Sequence, residues 1–82
     1  MKRKTFIIVG PYGSGKWKTK EKIQQRRKKE CYTLDKIDTI HNLKQLIEEQ
    51  IRADRDIYII ETRIERIPNE ILKIADKIIK KE

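Results

Sequence analysis

Two continuous apolar runs, Phe6-Ile7-Ile8-Val9 and Ile57-Tyr58-Ile59-Ile60, constrain the fold of this chain more than any other feature. Both are rich in β-branched residues. Gly10-Pro11 ends the first and Glu61-Thr62 the second, so each reads as a short buried strand. Cys31-Tyr32-Thr33-Leu34, ending at Asp35, reads as a weaker third candidate. The segments between these strands are too long for hairpins and carry helical signals. Lys16 to Lys29 contains no proline or glycine and is dominated by Lys, Glu and Gln. Ile40, Leu43, Ile47 and Ile51 recur at helical spacing beside Leu46, behind a cap at Asp38 or Thr39. Pro68 opens a last helix whose buried face is Ile71, Leu72, Ala75, Ile78 and Ile79.

Strands joined by crossover helices must pair in parallel. The expected fold is therefore a minimal α/β domain, β-α-β-α-β-α, filling residues 1–82 as one unit. Its three-stranded parallel sheet takes the order 2-3-1, with the two strongest runs adjacent, and right-handed crossovers put helices on both faces. A chain of 82 residues buries only about 60–65% of its unfolded surface, so the core is thin. The first helix adds little to it, offering only Trp17 and Ile23.

All three glycines, Gly10, Gly13 and Gly15, fall in one stretch between the first strand and the first helix. Glycine serves where backbone takes positive φ or approaches a ligand closely. Successive N–H groups of such a turn curl around an anion, and the helix dipole adds attraction. With Lys16 following, Gly10 to Lys16 fits all but the last position of the phosphate-loop pattern G-x-x-x-x-G-K-[ST]. Phe6 to Lys16 resembles the Walker A motif of P-loop NTPases. The resemblance implies binding of ATP or another nucleoside triphosphate through Gly10, Gly13, Ser14, Gly15 and Lys16.

The final letter departs from that pattern. Trp17 stands where the family carries a magnesium-binding hydroxyl, and indole cannot ligate a hard cation. Thr19 lies too far around the helix to replace it. A role for magnesium is therefore doubtful and hydrolysis is expected to be weak or absent. Trp17 is left to cover the thin core or to stack on a base beside the loop.

Two acids compete for the catalytic place at a strand end, Asp35 and Glu61. Arrangements like those of kinases and GTPases favour Glu61, since the strand beside the first carries the acid. A second resemblance favours Asp35. Leu46 to Ile79 is similar to the late part of FtsK/HerA-type DNA-pumping ATPases and viral genome-packaging ATPases, with Thr62-Arg63 where those carry Thr-Gln-Arg. That alignment makes Asp35 the metal-binding acid of a degraded Walker B, puts Lys36 in place of the catalytic glutamate, and makes Glu61-Thr62 the sensor.

The net charge of +8 is lopsided, +9 over residues 1–30 and −1 over the remainder. Such a field points to an anionic partner: a nucleotide or polyphosphate, or nucleic acid. Lys18, Lys22, Arg26, Arg27 and Lys29 on the first helix are the candidate nucleic-acid contacts. A nucleic-acid module or a regulatory or artificial scaffold keeping the loop as structure are the alternative readings, and self-association fits a half-covered sheet. The single Cys31 excludes an internal disulfide and suits a reducing compartment, and His41 as the sole histidine leaves no Cys–His metal site. No apolar stretch reaches membrane-spanning length, so a cytoplasmic location without membrane contact is expected. The isoleucine and lysine excess suits an AT-rich genome such as that of a virus or plasmid.

Overall fold

The computed structural model describes residues 2–82 as a parallel sheet with helices on both faces. The elements are β1 (Thr5–Val9), α1 (Lys16–Arg27), β2 (Cys31–Asp35), α2 (Leu43–Arg52), β3 (Asp56–Glu61), α3 (Asn69–Ile74) and β4 (Lys77–Lys80). Short 3-10 turns at Ile37–Thr39 and Ile64–Arg66 follow β2 and β3. The strand order is β2-β3-β1-β4, and every pair is parallel.

The expected order 2-3-1 is present but incomplete, since the sheet has a fourth strand beside β1. The last helix stops at Ile74, and Ile78 and Ile79, assigned above to its buried face, lie in β4. Their spacing after Ile71 and Leu72 satisfies a helical period, yet backbone pairing decides otherwise. β1 is buried along its whole length, and without β4 its second edge would hold unpaired amides and carbonyls. β4 satisfies them in the register Phe6↔Lys77 to Val9↔Lys80. Flanking bonds from Asp76 N to Thr5 O (2.8 Å) and from Lys81 N to Val9 O (2.7 Å) extend the ladder.

Alternation along the strands divides the core in two. Ile7, Val9, Ile57 and Ile59 point to the face covered by Ile47 of α2 and Ile71 of α3, with Ile37 and Ile67 from the turns. Phe6, Ile8 and Tyr58 point to the other face, where Ile23 of α1 packs. This division follows from the direction of winding. The chain moves one way across the sheet from β1 to β2, then the other way to β3 and β4. Right-handed crossovers therefore send α1 to one face and α2 and α3 to the other.

The α1 face is the thinner one, as the scarcity of apolar residues on that helix implies. None of its residues is fully buried. Phe6 and Tyr58 stack with ring centroids 5.2 Å apart, and cationic side chains cover them. The Arg27 guanidinium lies 5.5 Å from the Phe6 ring and Lys20 Nζ lies 5.9 Å from the Tyr58 ring. Arg27 also grips the start of β3. Its Nε donates to Asp56 Oδ2 at 2.6 Å and its Nη2 to Oδ1 at 3.0 Å, while Lys4 N donates to Oδ1 at 2.8 Å. That bond to Asp56 raises the Arg27 pKa above its ordinary value.

Candidate functional site

β1 and β3 stay paired to their carboxyl ends, but α1 leaves toward one face and the chain after β3 toward the other. The two connections therefore diverge and open a crevice above the strand ends. Such a reversal point is where open α/β sheets bind ligands. Here it is a cleft of about 770 Å³, floored by Ile60 and Glu61 and bordered by the loop from Pro11 to Trp17. Its size falls in the ordinary range for small-molecule sites.

The loop is pinned at its base. Val9 and Glu61 are register partners, and Gly10 N donates to the Glu61 carbonyl at 3.2 Å. Gly10 also packs where no side chain fits. A Cβ there would lie 2.7 Å from Ser14 Oγ, 2.8 Å from Lys81 Cβ and 2.9 Å from the Lys81 carbonyl. Gly13 and Gly15 have open surroundings but positive φ, +79° and +83°, which side chains resist. Those two residues turn the chain into α1, whose first helical bond runs from Thr19 N to Gly15 O. The amides of Lys16, Trp17 and Lys18 precede it and have no acceptor within the helix.

Lys16 folds back over this turn. Its Nζ donates to the Gly10 carbonyl at 2.6 Å and to the Pro11 carbonyl at 2.9 Å, and sits 5.7 Å from the Tyr12 ring centre. Ser14 Oγ is buried with no hydrogen-bond partner. Tyr12 is almost wholly exposed. Trp17 is 46% exposed and lines the cleft, so it does not serve the core as a covering residue.

Both candidate acids face the same cleft. Glu61, on the strand next to β1, is buried; its Oε1 accepts from Thr62 N at 2.8 Å and from Thr62 Oγ1 at 3.2 Å. Its Oε2 is buried without a partner. Asp35, one strand further out, is exposed at the end of β2. Sequence reasoning missed the far wall, where Asp38, Arg63 and Arg66 line the cleft on and beside the two 3-10 turns. Arg66 Nη1 lies 3.7 Å from Asp38 Oδ2 and 4.0 Å from Glu61 Oε1. The Thr62-Arg63 pair was the one signal in the sequence that pointed there.

The candidate nucleic-acid residues separate into two groups. Lys18, Lys22 and Arg26 are exposed, and Lys18 reaches the cleft rim. Arg27 is turned onto Asp56, and Lys29 Nζ donates to Asp54 Oδ2 at 2.7 Å, a bond that holds the Asp54 carboxyl below its usual pKa. Cys31 is half-buried and His41 exposed. No helix among the described residues is long and apolar enough to cross a membrane. No protein family, curated protein or solved structure matches the chain.

Proposed function

We propose that this chain is a phosphate-loop protein that binds ATP, another nucleoside triphosphate or a related polyphosphate, with weak or no hydrolysis. The observation that carries the reading is the loop itself. Two positive-φ glycines wrap it, Lys16 Nζ is held on its carbonyls, and the first amides of α1 adjoin it, while Ser14 Oγ is buried beneath it against Gly10. A phosphate group offers acceptors to Lys16 Nζ and to the first amides of α1. On binding, Lys16 exchanges its carbonyl partners for phosphate oxygens, a stronger charge-assisted contact. Glu61 is the acid this reading favours for orienting water or ligand, because it lies on the strand beside the loop. Trp17, half exposed on the rim, is free to stack on a base. Its place after Lys16 removes the metal-binding hydroxyl, which is why turnover is expected to be slow.

As the only tryptophan, Trp17 reports on the cleft directly. Titrating ATP, GTP and inorganic tripolyphosphate against its fluorescence tests the reading. Saturable binding that Lys16→Ala abolishes supports it. A flat response, confirmed by calorimetry, rejects it.

A second reading rests on the outer face of α1. That helix buries no residue, and Lys18, Lys22 and Arg26 stand exposed, a surface suited to polynucleotide phosphates. Charge reversal at Lys22 and Arg26, which lie outside the cleft lining, should then weaken polynucleotide binding and flatten its salt dependence without touching nucleotide binding.

A further inference from the structure

Resting on the polyphosphate reading, we infer that the cleft takes its ligand free of metal, with the Arg66 guanidinium supplying the positive charge that magnesium would bring. Resemblance to phosphate loops implies magnesium, but the donors around this cleft do not fit it. Trp17 has no oxygen to offer at the position that should ligate the ion. Among the described residues, no three His, Cys, Asp or Glu side chains come together as a metal site. Glu61 commits Oε1 to two hydrogen bonds from Thr62, and its unpartnered Oε2 is buried rather than presented to the cleft.

A cation stands there regardless. Arg66, on the turn after β3, is suspended between Asp38 and Glu61 at 3.7 and 4.0 Å, with half of its side chain exposed. Both separations exceed the roughly 2.7–2.9 Å of a charge-assisted hydrogen bond, so its N–H donors remain open to a ligand. A guanidinium fork matches two oxygens of a phosphate, which a solvated lysine does not. The lining as a whole carries five cationic side chains against three acids, so the cleft is positive without any metal. Magnesium on the ligand would neutralise part of its charge and occupy oxygens that Arg66 reaches. Lys16 at the loop and Arg66 on the far wall therefore form a two-cation clamp on a bare polyphosphate.

The test is calorimetric titration of the intact chain with ATP and with inorganic tripolyphosphate, in EDTA and in excess magnesium. Binding in EDTA should be at least as tight as in magnesium. Arg66→Ala should weaken it about tenfold or more, the value of one charge-assisted hydrogen bond, and Arg66→Lys should fall between. Arg66 lies outside the core, so circular dichroism of the variant should match the parent. Binding that requires magnesium and ignores Arg66→Ala would overturn the inference and leave the polyphosphate reading standing. Binding in EDTA that Arg66→Ala leaves unchanged would overturn the assignment to Arg66. No saturable binding in either buffer would overturn both.

Discussion

Arg27 and Asp56 form a two-pronged ion pair that joins the end of α1 to the start of β3, and the Asp56 carboxylate is completely buried. Its neighbour in sequence, Arg26, points to solvent and has no such duty. A buried carboxylate is tolerable only while its charge is matched, so removing one partner strands the other. Arg27→Ala should therefore lower stability by about 3–5 kcal/mol, whereas Arg26→Ala should change it by less than about 0.5 kcal/mol. Urea denaturation of the two variants makes the comparison. It also shows why a charge-reversal test of nucleic-acid binding must leave Arg27 alone.

Tyr58 supplies a pH-dependent prediction. Its hydroxyl is buried without a partner, and burial pushes its pKa up to about 12 from an ordinary 10.0. As pH rises past 10.0 the unfolded chain releases this proton while the folded chain keeps it, so stability falls until the folded phenol also ionises near 12. Tyr58→Phe removes an unsatisfied polar atom and should stabilise the protein by roughly 1 kcal/mol at neutral pH. Its melting temperature should also decline less between about pH 9 and pH 11 than that of the parent, roughly in step with the lost ionisation.

The glycines of the loop should respond to alanine for different reasons. Gly10→Ala forces a methyl against the Lys81 carbonyl and Ser14, an overpacking cost of about 1–3 kcal/mol, and it should loosen β4. Gly13→Ala and Gly15→Ala meet no atoms and incur only the positive-φ penalty, about 1–2 kcal/mol each. Hydrogen exchange at Lys81 N, bonded to Val9 O, separates the two cases, since only Gly10→Ala should speed it.

The strand assignment at the end of the chain is testable with one pair of substitutions. On a strand, Ile78 and Ile79 face opposite sides of the sheet, and Ile79 packs against Phe6, Ile8 and Tyr58 while Ile78 is 39% exposed. Ile79→Asp should cost about 2 kcal/mol or more, and Ile78→Asp about 1 kcal/mol or less. Equal losses, measured by chemical denaturation, would restore the helix that the spacing suggests.

The sheet was legible where the sequence speaks in unbroken apolar runs, as at Ile7 and Ile59. α2 was legible through Leu43, Leu46 and Ile47, although it begins later than a cap at Asp38 or Thr39 implies. β4 was not, because Ile71, Leu72, Ala75, Ile78 and Ile79 obey a helical period equally well. What separates the two outcomes is the unpaired edge of β1, a long-range demand that no local pattern carries. The same limit applies to the cleft. Glycine clustering announces the loop through backbone chemistry, so Gly13, Gly15 and Lys16 could be found. Asp38 and Arg66 sit on irregular turns, where polar residues have no periodic signature, and they meet only because β2 and β3 are neighbours.

The crevice above the ends of β1 and β3 exists because the chain reverses its winding direction there, and no side chain in the cleft creates it. Scaffold and recognition surface are thus separate problems in this molecule. Lys16, Asp35, Arg63 and Arg66 can be randomised together in a library while Ile7, Ile8, Ile57 and Ile59 hold the sheet, so selection on such a library explores new ligands at little risk to folding.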